Sequence, residues 1–207
     1  AAVNNAKAAK EESVSENEKF IALDIGPTGK LLKPYGDLDF EDAVEVFAQT
    51  VRIGAKYGVD LVLIETMNDS YETKAALLAV KENCDLPIIV TNAYGADGKL
   101  MTGATPAAMV AMLEGLRVDA VGANCSLGPK QLEGVVDELL ANASLPVVLQ
   151  PNAGLPRVEN GKNIHIPTYW NEIKNGTRTL TSFNNVKWTL RHIMKENNIT
   201  KVYAYNC

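Results

Sequence analysis

Short apolar runs alternate with helical stretches along most of this chain, and this alternation limits the possible folds more than any other feature of the sequence. Each run has four or five residues, which is too short for a helix, and turn-forming residues flank it. Such runs are typical of strands that are buried on both faces. The five runs are residues 20–24, 61–64, 87–90, 120–123 and 146–149.

The segments between these runs carry apolar residues at helical spacing, as at Val44, Phe47 and Val51. Two of the segments begin with residues that favour the start of a helix. Asp39 is a predicted N-cap, and Thr105 is a predicted N-cap that is followed by a first-turn proline. Strands and helices in regular alternation predict an α/β fold with parallel strands joined by right-handed crossovers.

Two α/β architectures have this alternation, the open doubly wound sheet and the closed barrel of eight strands. No G-x-G-x-x-G or G-x-x-x-x-G-K-[ST] motif follows any run, which weakens the nucleotide-binding form of the open sheet and favours the barrel. A sixth strand is predicted at residues 201–205, and residues 1–12 form a predicted helix with no strand before it. We therefore expect a parallel (β/α)8 TIM-type barrel that is incomplete, with about six βα units and its first two strands missing.

Charge and cysteine content narrow the classes of function. The 207 residues carry a formal net charge of −5, which argues against binding to nucleic acid. No stretch approaches the ~18 consecutive apolar residues of a transmembrane helix. The first residues lack the apolar core of a signal peptide, and three cysteines are too few for a disulfide framework. These features predict a cytoplasmic protein with no membrane contact.

The composition changes after Pro156. Residues 157–207 carry eight basic and three acidic side chains, although the chain as a whole is acidic. Apolar spacing still predicts one helix and the final strand in this part of the chain. We expect residues 1–160 to form the main barrel portion and residues 161–207 to form a divergent βα segment of the same domain.

Both candidate architectures place their chemistry at the carboxyl ends of the strands. Glu65 ends an apolar run, which favours a functional role for its carboxylate. Cys125 follows another run and precedes a turn that opens a helix, where a thiol can serve as a nucleophile or metal ligand. The alternative for Cys125 is a small buried apolar side chain. Cys84 is expected to be structural, and His165 is expected to lie in a loop.

Four segments together resemble a known family. They are DIGPTGKLLKPYGDLDFEDA, LVLIETMNDSYETKAALLAVKE, TGATPAAMVAMLEGLRVDAVGANCSLGP and LPVVLQPNAGLP. In this order and spacing, over about residues 1–160, they are similar to the homocysteine-binding barrel of cobalamin-dependent methionine synthase and of the wider homocysteine S-methyltransferase family. The pterin-binding barrel of the same synthase is a weaker match.

The resemblance implies a zinc-dependent thiol methyltransferase on a (β/α)8 barrel. In this family three cysteine sulfurs and the homocysteine thiol, bound as thiolate, hold the zinc. Cys125 matches the first zinc cysteine, and Cys207, at the end of the last predicted strand, is the second predicted ligand. Glu65 and Asn124 match positions that line the amino-acid group of homocysteine. Asn152 lies in the Asn-Ala-Gly loop at the same rim. Cobalamin and folate would act only through other domains of such a synthase.

The sequence departs from the family at the two remaining zinc cysteines, which are adjacent in the family and have no adjacent counterpart here. Two functions are therefore carried forward. One is a homocysteine S-methyltransferase domain of the methionine synthase type, which activates the homocysteine thiol on zinc to give methionine. The other is a non-catalytic fragment or divergent member that has lost zinc and serves as a binding or structural module. Because six strands would leave two open sheet edges, we expect either self-association across those edges or an open sheet closed by the C-terminal tail.

Overall fold

The computed structural model describes residues 1–14, 18–152, 156–160 and 162–165. Its helices are α1 (Ala2–Glu12), α2 (Phe40–Lys56), α3 (Ser70–Asn83), α4 (Pro106–Gly115) and α5 (Pro129–Asn142). Its strands are β1 (Ala22–Ile25), β2 (Leu61–Met67), β3 (Ile88–Asn92), β4 (Ala120–Asn124), β5 (Val147–Gln150), β6 (Pro156–Glu159) and β7 (Lys162–His165). Strands and helices therefore alternate from β1 to β5, as the sequence predicts.

Strands β1 to β5 form one parallel sheet in which each strand pairs with the next along the chain. This order contains no reversal, whereas a doubly wound sheet reverses its strand order at a switch point. All five predicted strands are confirmed, and the coarse expectation of a parallel α/β fold of the barrel type holds. The strand predicted at 201–205 lies outside the described residues.

Two apolar layers hold the sheet. The larger cluster lies between helices and sheet and includes Phe47 of α2, Leu77 of α3 and Val90 of β3. The smaller cluster lies on the face that these helices leave uncovered, which we call the inner face. Gly122 lies on this face of β4, where a Cβ atom would overlap the carbonyl of Val148 on β5, so only glycine fits. No described helix is long and apolar enough to cross a membrane.

The predicted helix starts are confirmed in position. The Thr105 hydroxyl accepts a hydrogen bond from the Ala108 N–H at 3.3 Å, as expected for an N-cap. Asp39 is also an N-cap, but its side chain makes no capping hydrogen bond. Its carboxylate instead accepts a hydrogen bond from Lys33 Nζ at 2.9 Å. The residue type therefore predicted the helix start correctly, although the Asp39 carboxylate forms an ion pair with Lys33 and does not cap the helix.

Strands β6 and β7 pair as an antiparallel hairpin that the sequence analysis does not predict. His165 is the last residue of β7, so its expected loop position is wrong. An Asn160-Gly161 pair links the two strands, and Asn-Gly is a strong signal for a two-residue hairpin turn. Asn160 has φ at 51°, in the left-handed region that such a turn requires. The predicted boundary at residue 160 falls inside this hairpin.

Candidate functional site

The inner face of the sheet changes from apolar to polar along the strands. Residues two apart on a strand share a face. Near the amino ends, this face carries a buried cluster that includes Leu61 and Leu63 of β2, Ile89 of β3 and Val148 of β5. The residues that continue the same faces to the carboxyl ends are Asp24, Glu65, Thr91, Asn124 and Gln150. This polar rim is where the fold class places its chemistry.

Two carboxylates share one side of the rim. Glu65 is half-buried, and burial raises its pKa above the ordinary value, with a further increase from the negative charge of Asp24. Desolvation also raises the pKa of Asp24, although much of that side chain remains exposed. Two like charges that are close together and partly desolvated favour a proton or a cationic group between them. This part of the rim is therefore suited to binding an ammonium group.

Asn124 joins β2, β3 and β4 through its side chain. Its Oδ1 accepts hydrogen bonds from the Thr66 N–H and from the Thr91 hydroxyl, both at 2.9 Å. Its Nδ2 donates to Thr66 Oγ1 at 2.7 Å and to Cys125 Sγ at 3.3 Å. An asparagine side chain can accept two hydrogen bonds and donate two, so this amide is fully used. It is also 2% exposed, which indicates a rigid bridge beneath the rim.

The Asn124 bridge connects two unusual backbone positions. Thr66 has φ at 61° and lies where the β2–β3 register shifts between Ile64 and Met67. Cys125 has φ at 56°, directly after β4. Residues other than glycine seldom adopt such values, and they are often found where structure serves function. Asn124 hydrogen-bonds to both residues, so it stabilises both strained positions at once.

Cys125 is half-buried in a tight turn at the rim. Its N–H donates to the Gln150 carbonyl at 3.0 Å, and its sulfur lies 3.8 Å from the Thr66 hydroxyl oxygen. Polar groups of Thr66 and Asn124 therefore contact the sulfur, so it is not enclosed in hydrocarbon. Asn152 is also half-buried and lies near this turn, because its N–H donates to the Leu127 carbonyl at 3.0 Å.

The described residues supply few ligands for a metal ion. No group of three or more His, Cys, Asp or Glu side chains within them could hold one. Cys84 ends α3 and packs against the helix-side core, in agreement with a structural role. Cys207 lies outside the described part of the chain. A catalytic zinc takes three protein ligands, so Cys125 and its described neighbours do not by themselves fit a zinc ion.

The structure thus brings Asn124 and Cys125 into contact, with Asn152 near the same turn. Asp24 and Thr66 lie at predicted strand ends, but the sequence assigned a role in the site to neither. The role of Asp24 could have been recognised, because Asp24 ends a predicted strand beside the one that Glu65 follows. The role of Thr66 could not, because it depends on a shift in strand register that no local pattern indicates.

The family of this chain follows from comparison with known proteins. The model of the homocysteine S-methyltransferase family matches residues 1–197. The match continues well past residue 160, where the motif resemblance was expected to end. The chain is also 28% identical over 155 residues to methionine synthase of Mycobacterium leprae (strain TN), which corresponds to 72% of this chain and 13% of that protein.

Solved structures agree on the fold. The homocysteine methyltransferase MmuM from Escherichia coli in its apo form matches with a TM-score of 0.64 and 23% identity, over 74% of this chain and 58% of that one. The metallated form of the same enzyme matches with a TM-score of 0.57 and 22% identity, over 74% and 55% of the two chains. The chain thus spans little more than half of this relative. Because the family model covers most of its length, the chain belongs to the homocysteine S-methyltransferase family.

Proposed function

We propose that this chain is part of a homocysteine S-methyltransferase of the methionine synthase type and that its rim binds homocysteine. One observation carries the proposal. Two partly desolvated carboxylates, Asp24 and Glu65, lie at the same polar rim as Cys125, whose sulfur accepts a hydrogen bond from the Asn124 amide. An amino acid with a side-chain thiol presents an ammonium group at one end and a sulfur at the other. The rim offers a complementary group for each end.

The ammonium group of homocysteine is proposed to bind between Asp24 and Glu65. Its positive charge would relieve the repulsion and desolvation that raise the pKa of the Glu65 carboxyl. Binding should therefore favour the ionised form of both carboxylates. Electrostatic relief of this kind selects an α-amino acid over the corresponding acid without an amino group.

Asn124 and Asn152, which match homocysteine-lining positions of the family, are proposed to shape the amino-acid subsite. Asn124 has no unused N–H in this arrangement, so it would act by fixing Thr66 and Cys125 in place. Asn152 is half-buried beside the Cys125 turn, where its N–H donates to the Leu127 carbonyl. The thiol end of homocysteine would lie on this side of the site.

We also propose Cys125 and Cys207 as ligands of a zinc ion, which when bound would hold the homocysteine thiol as a thiolate. A metallated relative is consistent with this. The described residues contribute only the sulfur of Cys125, so the complete ligand set must draw on other donors. Cobalamin and folate are assigned to other domains of a methionine synthase. A reducing cytoplasm would suit the free thiols of Cys84 and Cys125.

Calorimetric titration with three ligands tests the proposed function. L-Homocysteine should bind, whereas 4-mercaptobutyric acid, which lacks the amino group, should bind at least about tenfold more weakly because Asp24 and Glu65 then stay unpaired. L-Homoserine, which lacks the sulfur, tests the Cys125 side in the same way. Equal affinity for all three ligands, or no binding of homocysteine, would contradict the proposal.

Metal content separates the two functions that the sequence left open. Suppose that the purified chain holds one zinc per molecule, that Cys125→Ser loses the zinc and that Cys84→Ser retains it. This result would support the zinc-dependent methyltransferase. If zinc is absent but homocysteine binds, the chain is a binding module of the family. If neither binds, the non-catalytic alternative is correct.

A further inference from the structure

We infer that Glu72 is a positioning residue for the site, because it fixes the loop that follows β1 at the rim; this inference rests on the proposed homocysteine site. The loop comprises Gly26, Pro27, Thr28 and Gly29, and it begins two residues after Asp24. Glu72 lies in the first turn of α3 and is 2% exposed. It has no part in the sequence-based account of the site.

The contact between helix and loop is a pair of hydrogen bonds to one carboxylate oxygen. Glu72 Oε1 accepts from the Thr28 N–H at 2.7 Å and from the Thr28 hydroxyl at 2.5 Å. The Thr28 hydroxyl oxygen in turn accepts from the Lys30 N–H at 3.2 Å. Hydrogen bonds to an ionised group are roughly twice as strong as neutral ones. Thr28 is thus fixed by both its backbone and its side chain.

The spacing of Asp69 and Glu72 makes this contact informative. Asp69 is the N-cap of α3 and accepts hydrogen bonds from the N–H groups of Tyr71 and Glu72, each at 3.2 Å. An acidic residue three positions after the N-cap ordinarily turns back to the N-cap N–H in a capping box. The Glu72 carboxylate instead points away from its own helix and binds Thr28. A carboxylate that could cap α3 therefore stabilises the neighbouring loop.

Among the described residues, none packs against the two glycines of this loop at their Cβ positions. A Cβ atom added at Gly26 or at Gly29 would meet no atom of the described part of the chain within 4 Å. Gly29 also has φ at 76°, a conformation that only glycine adopts easily. A glycine loop with few packing contacts is mobile unless it is tethered. The Thr28–Glu72 contact provides that tether at the edge where Asp24 meets the substrate.

Glu72 therefore acts on the site through Thr28, by limiting the conformations of the loop that follows β1 at the rim. Loss of the tether should weaken homocysteine binding without unfolding the chain, because the entropic cost of ordering the loop would be met at each binding event. The helix itself would retain its Asp69 cap. The expected effect is on affinity and on local mobility together.

Four variants test the inference. Thr28→Val has nearly the same shape but lacks the hydroxyl, and Thr28→Ser restores it. Glu72→Gln removes the charge at the other end of the contact. Thr50→Val, on the exposed surface of α2, is a matched control. We expect Thr28→Val and Glu72→Gln to raise the Kd for L-homocysteine by about five- to tenfold, and Thr28→Ser and Thr50→Val to leave it within about twofold.

Amide hydrogen exchange without ligand supplies a second readout. The Lys30 N–H should exchange about tenfold faster in Thr28→Val, whereas amides in the sheet should be unchanged. An unchanged Kd in Thr28→Val and Glu72→Gln, with wild-type binding intact, would overturn this inference alone. An unchanged Lys30 exchange rate would do the same. A wild-type chain that does not bind homocysteine would overturn the proposed function together with it.

Discussion

The two ends of the parallel sheet use carboxylates in opposite ways. At the amino end, Asp60 Oδ2 accepts a hydrogen bond from the Ile21 N–H at 2.6 Å. Asp119 Oδ2 similarly accepts from the Ile88 N–H at 2.7 Å. Each of these acids lies just before one strand and binds the backbone at the start of its neighbour. Carboxylates at this end therefore stabilise strand pairing.

At the carboxyl end, no described residue donates a hydrogen bond to the side chain of Asp24 or Glu65. Both pKa values are instead raised, by desolvation in each case and by mutual repulsion for Glu65. Ionised carboxylates at this end therefore lower the stability of the folded chain unless a cation binds to them. In this sheet, therefore, the acids at the amino end stabilise the fold, whereas the acids at the carboxyl end are available for function.

The sharpest test of this comparison is Glu65→Gln, which keeps the shape of the side chain and removes the charge. We expect the Kd for L-homocysteine to rise by about 30-fold or more, because the ammonium group loses an ionic partner at a partly desolvated site. Calorimetry measures the change. Glu82→Gln, on the exposed surface of α3, is the control and should bind normally. Unaltered affinity in Glu65→Gln would end the proposed role of this rim.

The converse test is Asp119→Ala at the amino end. The Ile88 N–H would lose its acceptor, and we expect the free energy of unfolding to fall by about 1–2 kcal/mol in urea titrations. Homocysteine affinity should stay within about twofold, because the change lies at the far end of the strands. A large loss of affinity with little loss of stability would show that the two ends are not separate.

The sequence predicted the repeating part of the fold well, because apolar periodicity is a local property. All five strands of the sheet were recognised, but four of the five predicted ends stopped at the last apolar residue. Strand β2 continues through Glu65 to Met67, and β4 continues to Asn124. The polar ends were missed as strand because the hydrophobic signal stops where the site begins.

The role of a residue could be predicted from the sequence only where its own type and its position after a strand indicate that role. Cys125 and Glu65 could be recognised from their place after apolar runs. The contacts of Asn124 and Glu72 could not, because each depends on residues 33 to 58 positions away in the chain. Glu72 even has a local interpretation, the capping box, that differs from its observed partner. Tertiary contacts decide such cases, and spacing within one helix does not reveal them.

The pH dependence of stability should differ in sign between the two ends. The raised pKa of Glu65 means that its contribution to stability is fully present below the ordinary value of 4.5 and is lost as pH rises through the folded value. Glu65→Gln should therefore be more stable than wild type at neutral pH, by about 1 kcal/mol since the half-buried group is screened by solvent. The difference should disappear in acid.

Glu114 is the matched case at the amino end. Burial alone would raise its pKa, but hydrogen bonds from Ser144 and from the Leu145 N–H outweigh that effect and lower it. Its contribution is therefore present above 4.5 and is lost as pH falls through the lowered folded value. Urea titrations of both variants over a pH series measure the two signs. The same sign for Glu65→Gln and Glu114→Gln would contradict the comparison.

The smallest effect is expected at Lys10, whose Nζ lies 3.4 Å from Asp60 Oδ2. If acids at the amino end stabilise the chain through backbone hydrogen bonds, this half-buried ion pair, which solvent still screens, should add little. Lys10→Met removes the charge and with it the cation–π contact of Lys10 Nζ with the Phe20 ring, whose centroid lies 5.6 Å away. We expect a total loss of about 0.5 kcal/mol. Asp60→Ala also deprives the Ile21 N–H of its acceptor and should cost about 1–2 kcal/mol. Equal losses of stability in the two variants would mean that Asp60 stabilises the chain through its ion pair with Lys10 and not through its hydrogen bond with the Ile21 N–H.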